Sequence, residues 1–143
     1  MSITYSYTAC NAILTKLTEL IDAGSNRPNA YMEIYTAPRP STADDPVTTQ
    51  TKLATLQLGN PSFNAPQNGV AIAKPIAPDT DASASGPAAW FRIYNLDGVA
   101  VCDGLVTDTA TGTGNIIFDS VDVVSGGTVG LTNLSLNAPR TII

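Results

Sequence analysis

The sequence contains no histidine, and only 13% of its 143 residues are charged, where about 25% is usual. Without imidazole the chain has no Ser-His-Asp or Cys-His catalysis, none of the usual zinc sites and no histidine pH switch. Seven Lys and Arg residues face twelve Asp and Glu residues, a net charge of −5. Because nucleic acids are bound by basic surfaces, we expect no nucleic-acid partner.

Long apolar runs are missing as well. No stretch approaches the roughly 18 consecutive apolar residues of a membrane-spanning helix, so we expect no membrane partner. The first residues lack the basic and apolar regions of a secretory signal, and we expect the chain to fold in the cytoplasm of the cell that makes it. In that compartment Cys10 and Cys102 are expected to be free thiols, one on a helix and one in a strand.

The length suits one domain. We expect it to span 1–143, with an N-terminal arm at 1–7, a helix at 8–23 and a β-rich body at 31–143. Apolar residues in the helical segment recur at spacings of three and four, which is typical of one helix face. Ser6 or Thr8 can cap its start, and Gly24 suits its end. The apolar residues of the predicted buried face are Ile13, Leu17, Leu20 and Ile21.

After the helix the apolar period changes to two, which is typical of strands. A turn at 125–127 and a change of phase at Thr132-Asn133 predict that the last two strands are joined closely and that the second contains a bulge. We therefore predict an all-β fold, an antiparallel β-sandwich or jelly roll, with one N-terminal α-helix. The predicted strands, apart from the hairpin described next, are 31–35, 53–58, 70–72, 115–124 and 128–136.

The clearest local signal is a hairpin. Residues 90–94 and 99–102 read as strands, and Asn95-Leu96-Asp97-Gly98 reads as a type I turn followed by a left-handed residue. This geometry pairs Ile93 with Val101 and Asn95 with Val99, while a slip of one residue places Cys102 in the core instead. The predicted core residues of the hairpin are Phe91, Ile93, Val99 and Val101.

Candidate chemical groups are few. The aspartate pairs 44/45, 79/81 and 119/122 match neither a calcium loop nor a glycosidase pattern, and turn formation explains them better, although a weak calcium site stays open. Cys102 has only Arg92 across the hairpin as a cationic neighbour and no base to activate it. We therefore expect no catalytic residue, no cofactor and no metal, and no enzymatic activity.

Protein contacts are the remaining candidate function. Trp90, Arg92 and Tyr94 form an aromatic–cation–aromatic row on one strand face, which suits an interface, a stacking surface, or a second face packed under the helix or a loop. Apolar chain ends suit docking on a neighbour, and the last residues can also complete an edge strand. The candidate interface residues near the ends are Ile3, Tyr5, Ile142 and Ile143. The high apolar fraction and low charge favour a homo-oligomer.

Several motifs together resemble small proteins from the structural gene clusters of tailed bacteriophages. In size and composition the chain also resembles the capsid decoration, or cement, proteins of such phages. The motifs are Asn68-Gly69-Val70-Ala71, residues 85–93, Asp97-Gly98, Asp103-Gly104, residues 116–120, residues 126–129, and Glu33-Ile34-Tyr35-Thr36 with the Pro38-Arg39-Pro40 loop.

This resemblance implies a small β-sandwich or jelly roll that binds the outer surface of a phage head as a dimer or trimer. The implied partner is the major capsid protein, and the implied location is the capsid surface of the virion. The family pattern has no catalytic residues to transfer. Other phage parts, such as a tail, head–tail joining or spike protein, suit the same composition, and a carbohydrate-binding module is a third alternative.

Overall fold

A computed structural model describes residues 2–142. It contains one helix, α1, at Tyr7–Ile21, and a series of short strands. The strands are β1 (Ile3–Thr4), β2 (Tyr31–Tyr35), β3 (Lys52–Gln57), β4 (Val70–Ile72), β5 (Gly86–Pro87), β6 (Trp90–Tyr94), β7 (Ala100–Asp108), β8 (Ile116–Phe118), β9 (Asp122–Val123), β10 (Ser135–Asn137) and β11 (Thr141–Ile142).

The strands form one five-stranded sheet, in the order β3-β2-β6-β7-β8, and three two-stranded ladders, β1-β11, β4-β10 and β5-β9. The larger sheet curls into a half-barrel. The predicted β-rich fold with one helix is confirmed. The expectation of purely antiparallel pairing is wrong at one place, because β7 and β8 run parallel, with Val106 opposite Ile116. A seven-residue connection, 109–115, joins these two strands.

Helix α1 begins and ends within two residues of its predicted bounds. The Ser6 side chain caps it by accepting a hydrogen bond of 3.1 Å from the Ala9 N–H, as expected for a serine at this position. Its C-cap is Asp22, and Gly24 follows with φ of +113°.

The predicted buried face of α1 is only partly right. Ile13 and Leu20 are 48% and 49% exposed, and the fully buried residues are Cys10, Leu14 and Ile21. The helix is therefore turned about its axis relative to the prediction, because its apolar arc is wider than the surface that packs against β4 and the sheet.

The predicted hairpin forms, with a different register. The Asn95 N–H donates to the Val99 carbonyl at 2.9 Å, and Gly98 has φ of +79°. A shift in the ladder between Ile93 and Tyr94 then places Ile93 opposite Cys102 and not Val101. Val99, which was expected in the core, is 59% exposed as a result.

The C-terminal third contains less strand than predicted. Residues 115–124 divide into β8 and β9, and of 128–136 only the last two residues belong to a strand, β10. Thr132-Asn133 lies outside any strand, so no bulge forms there. The predicted turn at 125–127 is present, with Gly126 at φ of +81°. The apolar residues Val129 and Leu134 are buried, although the only strand-like pairing of Val129 is an isolated antiparallel bridge to Asp79.

The hydrophobic core lies between one face of the sheet, helix α1 and the C-terminal segment. On the sheet side it consists of the alternate residues Met32, Ile34, Leu56, Phe91 and Ile93, all at most 3% exposed. Within residues 2–142 no helix has the length and apolar character needed to cross a membrane.

The outer edge of β3 is covered by the segment 77–83. The Ala77 N–H donates to the Gln57 carbonyl at 2.8 Å, and the Ser83 N–H donates to the Leu53 carbonyl at 2.9 Å. Between these two contacts the Asp79 carboxylate accepts the Thr55 N–H at 2.8 Å. A loop and one side chain thus occupy positions that a further strand would take.

Candidate functional site: the covered face of the sheet

The face of the sheet opposite the core is aromatic and charged. Successive side chains of a strand point to opposite faces, so the residues between the core positions of β2 and β6 lie together here. The ladder places three pairs directly opposite one another: Tyr31 and Tyr94, Glu33 and Arg92, and Tyr35 and Trp90. The predicted row on β6 is thus one half of a double row.

The aromatic rings of this face stack in pairs. Tyr31 and Tyr94 have ring centroids 4.9 Å apart with an angle of 12° between planes, and Tyr35 and Trp90 are 4.6 Å apart at 18°. The Arg27 guanidinium lies 4.2 Å from the centroid of Tyr31. Stacking of this kind stabilises beyond the area that it buries.

A buried ion pair lies at the centre of the face. Arg92 on β6 and Asp103 on β7 are opposite each other, and the guanidinium donates from Nε to Oδ1 at 2.7 Å and from Nη2 to Oδ2 at 2.9 Å. The side chains are 3% and 4% exposed. This bidentate hydrogen bonding raises the pKa of Arg92 above its ordinary value, so the guanidinium stays charged.

A long connection, residues 36–51, covers this pair; we call it the covering loop. Arg92 also donates from Nη1 to the Asp45 carbonyl at 2.8 Å and from Nη2 to the Thr42 carbonyl at 3.2 Å. The Trp90 Nε1 donates to the Thr36 carbonyl at 2.8 Å. Three hydrogen bonds from two strand side chains therefore hold the loop on the sheet.

Of the predicted interface row, only Tyr94 is partly exposed. Trp90 is 0% exposed and Arg92 is 3% exposed, because the covering loop lies over both. The sequence left open an interface, a stacking surface, or a face packed under the helix or a loop; the structure has the face packed under a loop. In this conformation neither Trp90 nor Arg92 offers a surface to a partner.

A second polar cluster continues from the aromatic face towards β3. The Tyr35 hydroxyl donates to the Glu33 carboxylate and lies 3.0 Å from the Tyr94 hydroxyl. Burial and the hydrogen bond to Glu33 raise the pKa of Tyr35 far above its ordinary value. Lys52 Nζ is 3.8 Å from Glu33. The raised pKa keeps the Tyr35 phenol protonated, so that it can donate to Glu33.

An open cavity of about 180 Å³ lies at the end of this face that the covering loop leaves free. Small-molecule sites usually measure about 300–1,000 Å³, so this one has room for a side chain of a partner more readily than for a whole ligand. Its lining residues are Arg27, Pro28, Asn29, Tyr31, Thr55 and Gln57.

Several aspartates bind backbone N–H groups of nearby or distant turns. Asp45 accepts from Thr42 at 2.9 Å, and Asp97 accepts from Ser25 at 2.9 Å and from Asn26 at 3.1 Å. Asp79 closes the β3 edge in the same way. The interpretation of the aspartates as turn-forming residues fits the local contact of Asp45, whereas Asp97 and Asp79 also bind N–H groups far away in the sequence. No group of three metal-ligating side chains occurs within residues 2–142.

Both cysteines are free thiols, on α1 and β7, as predicted. Burial, with a smaller contribution from Asp103, raises the pKa of Cys102 to about 11. Arg92 does not lie opposite Cys102, as the predicted register had it, but opposite Asp103. The Cys102 thiol therefore stays protonated at neutral pH, which makes it a poor nucleophile.

The candidate residues at the chain ends lie in and beside the β1-β11 ladder. Ile3 is opposite Ile142 and is 58% exposed. The Tyr5 N–H donates to the Arg140 carbonyl at 2.6 Å, and the Tyr5 side chain is partly buried. Ile143 lies outside the described residues. The backbone of Thr141–Ile142 forms an edge strand, β11, which was the second of the two interpretations of the C-terminal residues.

No protein-family model matches this chain, and neither a curated protein nor a solved structure shows significant similarity to it.

Proposed function

We propose that this chain is a virion structural protein, a capsid decoration protein that binds the outer surface of a tailed-phage head. Its partner is the lattice of the major capsid protein, and it acts there as a dimer or trimer after synthesis in the host cytoplasm. A sandwich or jelly-roll relationship to known decoration proteins is part of this proposal.

One observation carries the proposal: the residues of the phage-like motifs hold loops to the sheet. Arg92 and Asp103 anchor the covering loop, and Asp97 anchors the 25–26 turn. Gly104 lies beneath the Phe91 ring, where a Cβ would come within 2.3 Å of Cζ. The motifs thus specify a rigid scaffold with long tethered loops, which suits a protein that works by its surface.

The physical mechanism is stabilisation by mass action. A protein that binds the assembled lattice and not the free subunits lowers the free energy of the lattice. Several weak contacts per oligomer act together, so strong individual contacts are not needed. The exposed Ile3, Val99 and Val124, at 58%, 59% and 68%, are surface apolar groups available for such contacts.

The test uses purified heads that lack this protein. Heads are titrated with the full chain, bound copies are counted, and the heads are heated with and without it. We expect saturable binding, with copies comparable to the major capsid protein, and a higher rupture temperature. Unchanged rupture with no saturation would contradict the proposal. The double variant Arg92→Met/Asp103→Leu, expected to release the covering loop without leaving a buried unpaired charge, shows whether the tethered loop is needed.

Copy number separates the alternatives. A tail, head–tail joining or spike protein is present in far fewer copies per virion than the major capsid protein, which gel densitometry or cryo-EM localisation measures directly. A carbohydrate-binding module is disfavoured because the stacking residue on which it would depend, Trp90, is covered. Calorimetry against a glycan panel tests that alternative.

A further inference from the structure

Helix α1 has a second apolar stripe that its own fold leaves partly exposed. Ile13 and Leu20 are 48% and 49% exposed, and Leu17 lies between them, partly buried. Positions i, i+4 and i+7 share one helix face, and Ile13 and Leu20 are about 10 Å apart along the axis. We call Ile13, Leu17 and Leu20 the outer stripe.

The spacing of the outer stripe is that of a helix–helix seam. Single exposed apolar residues are common on protein surfaces, but large ones that alternate at four and three residues on a straight helix form the seam of paired helices. The inner stripe of Cys10, Leu14 and Ile21 is already buried in the core. The exposed surfaces of Ile13 and Leu20 are therefore free to pack against a second helix.

The charges beside the outer stripe indicate which partner. Lys16 and Glu19 are the only charged residues of α1, lie 3.7 Å apart, and are 73% and 62% exposed. The helix is thus neutral overall in a chain of net charge −5. Two copies can approach at this face without the like-charge repulsion that the rest of the chain imposes.

We propose that α1 pairs with α1 of a second copy, antiparallel, about a two-fold axis that crosses midway between Lys16 and Leu17. Ile13 then faces the partner's Leu20, and Leu20 faces the partner's Ile13. Lys16 comes within about 3 Å, along the axis, of the level of the partner's Glu19, since the rise is about 1.5 Å per residue. Two reciprocal Lys–Glu pairs flank the apolar seam.

A parallel pairing fits the charges less well. It would bring Lys16 level with the partner's Lys16, and Glu19 level with the partner's Glu19, so like charges would meet. Antiparallel helices also place opposite ends of their dipoles side by side.

The helix contact alone is smaller than the roughly 800 Å² per partner of a stable interface, so self-association through it is weak and concentration-dependent.

Disulfide trapping tests the direction of pairing. In a Cys102→Ser background, a chain with Ile13→Cys is mixed with a chain carrying Leu20→Cys under mild oxidation. We expect the mixed disulfide to exceed either homodisulfide by at least about tenfold, because disulfides need Cα atoms within about 7 Å. The control replaces the Leu20→Cys chain with a Val99→Cys chain, exposed elsewhere. Equal yields of all products would overturn the proposal.

Charge reversal gives a second, non-covalent readout by sedimentation equilibrium. Lys16→Glu should weaken association, and the double variant Lys16→Glu/Glu19→Lys should restore it to within about twofold, since reciprocal pairs are re-formed. Leu20→Glu should abolish it, with circular dichroism confirming that the variant folds. A chain that is monomeric at all concentrations, or a trimer, contradicts the proposal.

The inference does not depend on capsid binding. A monomer that still saturates phage heads would overturn the helix pairing and leave the decoration function standing. A helix-paired dimer that fails to bind heads would give the opposite result. Loss of head binding in Leu20→Glu, with no self-association in the parent chain, would show that the outer stripe contacts the shell and not a second copy.

Discussion

Arg92 and Asp103 lie opposite each other on β6 and β7, joined by two hydrogen bonds of 2.7 and 2.9 Å, and both are almost fully buried. The same guanidinium donates to the Thr42 and Asp45 carbonyls of the covering loop. One side chain thus satisfies a carboxylate below the loop and two backbone acceptors within it, and it makes two of the three hydrogen bonds by which β6 holds the loop.

Removing either member of the pair should strongly destabilise the protein. Asp103→Ala leaves the Arg92 charge buried without its carboxylate, and breaking such a pair costs about 3–5 kcal/mol. The free energy of unfolding from urea denaturation measures this. The exposed Lys16–Glu19 pair is the matched control, because Lys16→Ala should have little effect.

Replacing both members of the pair with apolar residues should release the covering loop without unfolding the core. Trp90 is the only tryptophan and is 0% exposed, so acrylamide should quench its fluorescence poorly in the parent chain. In Arg92→Met/Asp103→Leu, which leaves no unpaired charge, we expect quenching to rise while the core stays folded. Quenching that stays at the parent level in this folded double variant would mean that Arg92 does not anchor the loop.

Gly104→Ala should destabilise the fold through a direct clash. The added Cβ would lie 2.3 Å and 2.4 Å from two atoms of the buried Phe91 ring, and overpacking of this kind costs about 1–3 kcal/mol. Thermal unfolding measures the loss. Phe91→Leu should lessen the effect of Gly104→Ala in a double-mutant cycle, and full additivity would contradict the contact.

Stability should fall at acidic pH partly through Asp97. Its two hydrogen bonds from the Ser25 and Asn26 N–H groups lower its pKa in the folded state. A depressed carboxyl pKa contributes stability above the ordinary value of about 3.9, and that contribution is lost as the pH falls through the folded pKa. Asp97→Asn should therefore flatten the stability–pH curve below about pH 4.

The control for this pH effect is Asp44→Asn, at an exposed position whose carboxylate makes none of the hydrogen bonds described above. It should leave the slope of the curve unchanged. The measurement is urea denaturation at a series of pH values at constant ionic strength. The same slope in the Asp97→Asn variant and the parent chain would exclude Asp97 as a source of acid sensitivity.

Cys102 should react slowly with iodoacetamide. Burial raises its pKa to about 11 from an ordinary value of 9.0, so at pH 8 its thiolate fraction is roughly one hundredfold lower than that of a free cysteine. A Cys10→Ala variant isolates the signal, and the rate should rise steeply up to about pH 11. Rapid alkylation of the folded protein at pH 8 would contradict the raised pKa of this partly buried thiol.

The bounds of α1 were predictable because caps and apolar periodicity are local signals. The buried face was not, since Ile13 and Leu20 are as apolar as Leu14 and Ile21. Packing on β4 and the sheet makes that choice, and no residue within the helix records it. Because the core contacts a different face of α1 from the one predicted, Ile13 and Leu20 of the outer stripe stay about half exposed.

The candidate site was predictable only in part. The β6 row and the hairpin turn follow from alternation and from the Asn-Leu-Asp-Gly signal, but the shift between Ile93 and Tyr94 decides that Asp103, not Cys102, faces Arg92. The loop acceptors at Thr42 and Asp45 are backbone carbonyls, which every residue has. The docking of the covering loop on Arg92 therefore has no side-chain signature in the sequence.

The segment 77–83 along β3 has a consequence for behaviour at high concentration. Edge-to-edge growth into continuous ribbons requires each chain to offer two open flanks, and here one flank is closed by Ala77, Asp79 and Ser83. Edge-to-edge pairing of this sheet between chains therefore cannot continue beyond two chains. The chain can therefore reach high concentration without polymerising into fibres through this edge of the sheet.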